Sequence, residues 1–182
     1  EAVVRLSPDV VINDILDTPR EYVNGLKNNG IKVINFEDEG AGAAQADLVI
    51  NALYDKSAQN NMLVGSQYFC LRGEFLSAAV APFREKVKNV LVTFGGADEN
   101  NLSLRTIDVV LPISFKWNCQ VFLVTGPGYK YHVAMEKRLA RIPEEYRKLI
   151  EWVPYGTKKI SEYMSNADFC ITSAGRTVYE LA

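Results

Sequence analysis

Several features are scarce in this sequence of 182 residues, and each absence excludes a class of protein. No apolar run approaches the ~20 residues that a membrane-spanning helix requires, and no signal peptide opens the chain. Positive and negative charges nearly cancel, leaving a formal net charge of −2 at pH 7. Because no excess of positive charge attracts nucleic acid or an anionic membrane, we expect neither as a partner. The lack of a long apolar run predicts no integral membrane segment.

Cysteine and histidine are also rare. Cys70, Cys119 and Cys170 are odd in number and far apart, which favours reduced, buried thiols in a cytoplasmic protein over disulfides or a metal site. The single histidine, His132, lies in the amphipathic segment "YKYHVAMEKRLARI", which favours a structural or surface role over that of a catalytic base. Since the sequence also has no zinc-ligand cluster, Walker A motif or nucleophile elbow, it predicts no metal and no cofactor.

What is abundant indicates an α/β protein. The length of 182 residues suits one large domain or two small ones, and the hydrophobic content of 48% is ordinary for a globular protein. Short Val/Ile/Leu/Phe runs alternate with segments of helical period, which predicts βαβ units and parallel sheets. The predicted strands are "DVVIN", "IKVINF", "ADLVINAL" (followed by an irregular stretch to about Gly65), "SQYFCLR", "VKNVLVTF", "CQVFLVTG", "LIEWVPY" and "DFCITS".

Two domains are predicted: the end of one α/β domain over 1–75 and most of a second over 89–182, with 76–88 as linker. In the first, "DTPREYVNGLKNNG" is predicted as a helix with Asp17 or Thr18 as its N-cap and Pro19 in its first turn. In the second, "DENNLSLRTIDVVL" is the predicted helix after "VKNVLVTF". The chain starts without methionine and stops inside a predicted helix, so we expect a piece of a longer protein, truncated at both ends.

One predicted strand–helix junction is a candidate anion site. The strand "VKNVLVTF" runs into Gly95, Gly96 and Asp98, and ligands of parallel α/β sheets bind beyond the carboxyl ends of the strands. Two glycines let the backbone approach a ligand closely, and a helix start offers free N–H groups and a positive dipole to a diphosphate. The alternative interpretation is a tight turn in which Asp98 caps the helix.

A second junction, "ITSAGRTVYEL", offers matching groups at another predicted helix start. Its small and hydroxyl-bearing residues are Ser173, Ala174, Gly175 and Thr177. Glu180 lies one helical turn beyond Arg176, where its carboxylate either accepts hydrogen bonds from a ribose diol or is simply solvated. Arg176 pairs either with a phosphate or with Glu180.

Two further strand ends carry candidate groups. Gly126–Gly128 in "VTGPGYKY" form a flexible loop. The corner from Val153 to Tyr155 leaves a strand with unpaired backbone groups, and with Met164 it is predicted either to pinch a flat nucleobase or to belong, with Trp152, to the core. The segment "GAGAAQ" is not predicted to bind pyrophosphate, because it lacks the last small residue of a dinucleotide fingerprint and follows the acidic Glu37–Glu39.

The two junctions together resemble those of a known family. "VTFGGADENNLSLR" and "ADFCITSAGRTVYELA" resemble the UDP-sugar hydrolases of pseudaminic acid synthesis and the related spore-coat polysaccharide biosynthesis proteins. The second motif also resembles the nucleotide-sugar domain of the N-acetylglucosaminyltransferase that makes lipid II, and "GIKVINFEDEGAGAAQADLVINALY" is similar to the family stretch that joins the two domains. The resemblance implies a GT-B architecture, with 1–75 ending an N-terminal Rossmann-like domain and 89–182 forming most of a nucleotide-binding one.

The resemblance also implies roles for individual residues. Gly95 and Gly96 would lie against the diphosphate of a UDP-sugar, with the second junction beside it. Glu180 would bind the ribose hydroxyls, and the corner from Val153 to Tyr155 would hold uracil. In the hydrolases water attacks the diphosphate-linked sugar without an evident metal requirement, so the resemblance implies no cofactor.

The chain departs from the family where catalysis is concerned. The catalytic histidine and the last binding segment of the family have no counterpart here, and Ile15 and Leu16 replace a sugar-contacting tyrosine after the aspartate matched by Asp14. Asp14 is the catalytic candidate within the chain. Because the family's catalytic histidine has no counterpart here, we expect the chain to bind its ligand but not to turn it over by itself. The leading hypothesis is part of a UDP-sugar hydrolase or related glycosyltransferase of surface-polysaccharide or nonulosonic acid synthesis. The alternatives are a non-catalytic binding module fused to a sugar-activating enzyme and a nucleotide-binding oxidoreductase.

Overall fold

The computed structural model describes residues 2–53, 60–79 and 82–182. It contains two compact units, unit 1 (Glu1–Cys70) and unit 2 (Leu71–Ala182). Each unit is built on a four-stranded sheet, and the pairs of neighbouring strands in both sheets are parallel. The predicted α/β class with Rossmann-like parallel sheets and flanking helices is confirmed.

Unit 1 has the strand order β1-β2-β3-β4. Its elements are α1 (Ala2–Arg5), β1 (Val10–Asp14), α2 (Arg20–Lys27), β2 (Lys32–Phe36), β3 (Leu48–Asn51) and β4 (Met62–Val64), with 3-10 turns at Ala43–Gln45 and Ser66–Tyr68. Helix α2 packs on the sheet through Val23 and Leu26, which are buried against Val33 of β2 and Val49 of β3. This apolar contact is the core of the unit.

A buried polar network lies where β1 and β2 end. The Asp38 carboxylate is fully buried and accepts hydrogen bonds from Thr18 N, Thr18 Oγ1, Asn35 Nδ2 and Gly40 N. Thr18 is not the N-cap of α2 that the sequence predicts, because its hydroxyl donates to the Asp38 carboxylate. The residue before α2 is Pro19, and no side chain caps the helix. Gly42 of "GAGAAQ" is needed for packing, because a Cβ there would lie 2.5 Å from Thr18 Oγ1.

Unit 2 has the strand order β7-β6-β5-β8. Its elements are α3 (Gly73–Leu76), β5 (Asn89–Thr93), α4 (Leu102–Trp117), β6 (Gln120–Val124), α5 (His132–Ala140), α6 (Glu144–Arg147), β7 (Ile150–Val153), α7 (Ile160–Asn166), β8 (Phe169–Ile171) and α8 (Arg176–Leu181). Strand β5 is paired on both sides, with Val92 opposite Leu123 of β6 and opposite Ile171 of β8.

Helices cover both faces of the unit 2 sheet. Val92 of β5 packs with Ile107 of α4 and Met135 of α5 in one apolar cluster. Leu91, the preceding residue, belongs to a second cluster with Met164 of α7. Because successive side chains of a strand point to opposite faces, this alternation accounts for the continuous apolar runs of the predicted strands.

Two expectations about residues 54–72 are wrong where the structure describes them. The segment "SQYFCLR" contains a 3-10 turn followed by loop instead of a strand, so Cys70 is exposed and not buried. The stretch before Gly65, predicted to be irregular, contains β4, although 54–59 lie outside the described residues. Of the other cysteines, Cys119 is buried and Cys170 is half-buried, and burial raises the pKa of both thiols.

A buried ion pair ties the start of β5 to the start of β8. The Asp168 carboxylate, 5% exposed, pairs with Arg84 and accepts hydrogen bonds from the N–H groups of Lys88 and Asn89 at 2.8 Å each. Burial by itself raises the pKa of Asp168, but the hydrogen bonds from Arg84 and the two amides outweigh it, so the pKa lies below its ordinary value. This carboxylate therefore stabilises the fold in its ionised form.

Within the described residues, no helix is both long and apolar enough to cross a membrane.

Truncation of the α4 core contact should destabilise unit 2. Ile107 is fully buried, so we expect Ile107→Ala to lower the free energy of unfolding by about 2–5 kcal/mol through lost burial and a residual cavity. Val109 on the same helix is 66% exposed, and Val109→Ala should change stability by less than about 0.5 kcal/mol. Urea unfolding followed by circular dichroism measures both, and equal effects would contradict this assignment of the core.

The Asp168 ion pair predicts a loss of stability in acid. Because the folded-state pKa is lowered, the contribution is complete above the ordinary aspartate pKa of about 3.9 and disappears as pH falls through the folded value. Asp168→Asn should therefore be less stable than the wild type at neutral pH, and the difference should shrink in acid. Asp108→Asn, at a half-exposed ion pair with Arg138, is the control with little effect at either pH. A pH-independent gap in urea midpoints would contradict the assignment.

Candidate functional site

The turn after β5 is held in place by a neighbouring glycine loop. Gly95 has a φ of +75°, a conformation that glycine adopts without strain. Gly128 donates its N–H to the Gly96 carbonyl at 2.9 Å, and a Cβ on Gly126 would lie 2.5 Å from Gly96 Cα. The loop Gly126–Gly128 thus supports the Gly95–Gly96 turn, and the close approach of the two backbones requires glycine at position 126.

Asp98 caps helix α4. Its two carboxylate oxygens accept hydrogen bonds from Leu102 N and Ser103 N, both at 2.8 Å. The helix begins at Leu102 and not at Asp98 as predicted, since Asp98 and Asn101 have positive φ and form a loop. The expectation that this helix start aims free amides at an anion is corrected, because the cap occupies two of them. A ligand here would contact the glycine turn itself.

Asn101 in the same loop is held by Tyr129. The Tyr129 hydroxyl donates to Asn101 Oδ1 at 2.6 Å, and the ring is almost completely buried. Burial, with a smaller contribution from the negative charge of Asp98, raises the pKa of Tyr129 to about 12. The phenol therefore stays a neutral hydrogen-bond donor at physiological pH and keeps the loop between β5 and α4 in one conformation.

The second predicted junction lies next to this turn, because β8 pairs with β5. Helix α8 begins at Arg176 and carries Thr177 and Glu180. Arg72 donates to Glu180 Oε1 from Nε at 3.2 Å and from Nη2 at 3.0 Å. Its third guanidinium nitrogen pairs with Glu74 at 2.9 Å. Glu180 is therefore held in an ion pair and is not simply a solvated helix residue.

A cleft of about 290 Å³ in unit 2 brings the two junctions together. Four predicted site residues line it: Gly95, Gly96, Thr177 and Glu180. Arg176 and Met164, both weighed from the sequence, also line the cleft, whereas other lining residues were not predicted: Arg72, Thr93, Gly156 and Thr157. The remaining predicted site residues are not among those that line the cleft: Asp98, Val153, Tyr155, Ser173, Ala174 and Gly175.

The predicted nucleobase corner is organised differently from the expectation. The Val153 carbonyl is not unpaired, because it accepts a hydrogen bond from Thr125 N at 3.1 Å. Tyr155 is 64% exposed, has a φ of +64°, and stacks on His132 with ring centroids 4.1 Å apart. Val153 itself packs with the buried Met164, so the core interpretation holds for Met164 even though it also borders the cleft.

Arg72 is the cleft residue that sequence reasoning missed most completely. It lies 108 positions before Glu180, and its segment was predicted as a strand end with no bearing on a site. The arginine also stacks over the Phe75 ring at 4.9 Å, which orients the guanidinium. Arg72 is recognisable as a cleft residue only through its ion pair with Glu180. A single sequence does not show that these two residues are close in space.

The catalytic candidate Asp14 lies in unit 1, exposed at the end of β1. Ile15 and Leu16, which follow it, are 49% and 53% exposed. Among the residues that the structure describes, no group of three or more His, Cys, Asp or Glu side chains is placed to hold a metal ion.

Because Asp98 caps α4, its substitution should lower the stability of the protein without changing its affinity for a ligand. Asp98→Ala should cost about 0.5–2 kcal/mol of stability, the usual effect of losing an N-cap, because Leu102 N and Ser103 N lose their acceptors. Asp98→Asn, which retains a capping oxygen, should lose less. Since Asp98 does not line the cleft, ligand affinity of the folded variant should stay unchanged. A large loss of ligand affinity in Asp98→Asn would assign the carboxylate to the ligand.

Comparisons with known proteins bear on the fold and on the site. No protein-family model matches the chain. An uncharacterized protein of Methanocaldococcus jannaschii is 27% identical over 96% of the chain and 38% of its own length. The spore coat polysaccharide biosynthesis protein SpsG of Bacillus subtilis is 25% identical over 94% of the chain and 52% of its own length. The chain thus spans about half or less of these curated relatives.

Similarity in fold extends over both units. The crystal structure of MurG from Acinetobacter baumannii matches 99% of the chain and 51% of its own chain, with a TM-score of 0.60 and 18% identity. That match concerns the fold alone. The fold of this chain is thus similar to that of MurG, in agreement with the predicted GT-B-like architecture, and its sequence is similar to that of SpsG.

Proposed function

We propose that this chain is the nucleotide-binding part of an enzyme that acts on UDP-sugars in surface-polysaccharide synthesis. The UDP moiety is held in the unit 2 cleft. The observation that carries the proposal is the convergence of the Gly95–Gly96 turn with Thr177 and Glu180 in one cavity. This cavity lies at the carboxyl edge of a parallel sheet, where α/β proteins bind nucleotides.

Arginine side chains of the cleft supply donors for a diphosphate. Arg72 and Arg176 line the cleft together with the Glu180 carboxylate, and since Arg72 is already paired with Glu180 and Glu74, Arg176 is the proposed phosphate contact. Guanidinium groups bind phosphate oxygens in bidentate geometry, and the exposed backbone of Gly96 has room for close approach because a Cβ there would meet nothing within 4 Å. Thr177 adds a hydroxyl at the start of α8.

Glu180 is the proposed acceptor for the ribose hydroxyls. Both hydrogen bonds from Arg72 fall on Oε1, so a ribose hydroxyl donates to Oε2 without breaking them. The ion pair fixes the side chain before the ligand arrives, which reduces the entropy lost on binding. In this arrangement Arg72 positions the Glu180 carboxylate.

For the reaction, we propose hydrolysis or transfer of the sugar from UDP. Water or an acceptor hydroxyl attacks the carbon that bears the diphosphate, the carbon–oxygen bond breaks, and UDP leaves. The similarity to SpsG supports a role in polysaccharide synthesis. Asp14 is the proposed contributor to proton transfer from the chain itself, and the proposed mechanism requires no metal.

A non-catalytic binding module is the second candidate. The observation that favours it is the exposed aliphatic pair Ile15 and Leu16 directly after Asp14. A sugar-contacting side chain there would offer a hydroxyl, whereas Ile15 and Leu16 offer none. Incubation with UDP-sugars distinguishes the candidates: release of UDP supports the enzyme, and saturable binding without turnover supports the module.

Nucleotide titrations test the proposed site directly. We expect UDP to bind more tightly than CMP or NADH, and Glu180→Ala to weaken UDP by about 1–3 kcal/mol, the scale of a lost charged hydrogen bond. Glu162→Ala on α7, with a side chain 62% exposed and outside the cleft, is the matched control and should leave affinity unchanged. Isothermal titration calorimetry measures all arms. Equal affinity for the three nucleotides, or no effect of Glu180→Ala, would contradict the proposal.

A further inference from the structure

Thr93, the last residue of β5, lines the cleft although it is almost completely buried. Its side chain points to the same face of the sheet as that of Leu91, two positions earlier, which packs with Met164 of α7. Only Phe94 separates Thr93 from the Gly95–Gly96 turn in the chain. Thr93 therefore lies at the base of the cleft, next to the turn that is proposed to contact the diphosphate.

The hydroxyl of Thr93 forms no hydrogen bond with any residue that the structure describes. The other buried side chains that line the cleft, Val124 and Met164, are apolar and offer it no partner. Burying a hydroxyl without a hydrogen bond costs free energy, and a valine would fill the same space without that cost. The position is therefore suited to a partner that enters the cleft.

Threonines at the ends of the two neighbouring strands differ from Thr93. Thr125 follows β6, and its Oγ1 accepts a hydrogen bond from Trp152 Nε1 at 3.1 Å. Thr172 follows β8, and its Oγ1 is buried without a partner, but the residue is not among those that line the cleft. Of these three threonines, Thr93 alone combines an unpaired hydroxyl with a place in the cleft.

The order of the groups in the cleft indicates which part of a nucleotide Thr93 meets. Glu180, the proposed ribose acceptor, lies on the same face of α8 as Arg176 and Thr177, one turn nearer the helix start. Because β8 pairs with β5, the residues beside this helix start are Thr93 and the Gly95–Gly96 turn. A nucleotide whose ribose lies at Glu180 thus extends its first phosphate to the start of α8 and its second phosphate to the end of β5.

We propose that Thr93 makes the cleft select a nucleoside diphosphate over the corresponding monophosphate, by donating its hydroxyl to the second phosphate. The inference rests on the proposed binding of UDP in this cleft and adds the residue that distinguishes the two lengths of the phosphate chain. A hydroxyl suits this place because it is less costly to bury in the empty cleft than a cation. It also forms a short, charge-assisted hydrogen bond with a phosphate oxygen.

Replacing the hydroxyl by a methyl group tests the selection. We expect the wild-type protein to bind UDP more tightly than UMP. Thr93→Val should weaken UDP about tenfold, the effect of one lost hydrogen bond to a charged group, and leave UMP unchanged. Thr93→Ser keeps the hydroxyl and should keep the preference for UDP. Isothermal titration calorimetry with both nucleotides measures all three proteins.

Thr172→Val is the matched control, because it removes an unpaired hydroxyl from the neighbouring strand end outside the cleft. It should change the affinity for neither UDP nor UMP. The melting temperatures of Thr93→Val and Thr172→Val should equal or exceed that of the wild type, since neither hydroxyl has a partner in the described fold. A structural role of Thr93 would instead lower the melting temperature of Thr93→Val and leave its affinity for UDP unchanged.

The possible results separate this inference from the proposed function. Wild-type affinity for UDP in Thr93→Val would overturn the role of Thr93 and leave UDP binding established. An equal loss of UDP and UMP affinity in that variant would overturn the assignment to the second phosphate. Failure of the wild-type protein to bind UDP would overturn the proposed function and this inference together.

Discussion

The parallel pairing of β5 with a strand on each side is the constraint on which the candidate site depends. Val92 lies opposite Leu123 on one side and opposite Ile171 on the other, so three strands end at the same edge of the sheet. The turn after β5 and the helix after β8 consequently meet, although they are far apart in the chain. The apolar clusters on both sheet faces stabilise this pairing, and the cleft exists because they hold the strands in register.

Charged groups around the cleft are paired within the fold before any ligand binds. Asp98 is bound to the first amides of α4, and Glu180 is bound to Arg72. Such pairing positions the side chains and lowers the entropic cost of later recognition. His132 is the exception, because its nitrogens are buried without partners in the described structure.

The sequence predicted the elements of unit 2 well because their apolar runs are long and are separated by clear helical periods. The sequence predicted local structure poorly where a side chain interacts with a residue that is distant in the chain. The hydroxyl of Thr18 was taken for a helix cap, but the buried Asp38 carboxylate binds it instead. The segment around Cys70 has the composition of a strand, yet Gly65 at a φ of +119° ends the sheet before it. The local pattern of apolar and polar residues does not predict such effects of the folded structure.

By itself the sequence determined the α/β class, the parallel sheets, and four residues of the cleft: Gly95, Gly96, Thr177 and Glu180. Gly95, Gly96 and Thr177 follow from strand periodicity and from glycines and small residues at strand ends, which are local properties. Glu180 follows from its helical spacing and from the family resemblance. Only the tertiary structure decided that Arg72 pairs with Glu180, that Asp98 serves α4, and that Tyr155 covers His132. Each of these contacts joins residues whose spacing in the chain carries no periodic signal, so only the folded packing of strands and loops brings them together.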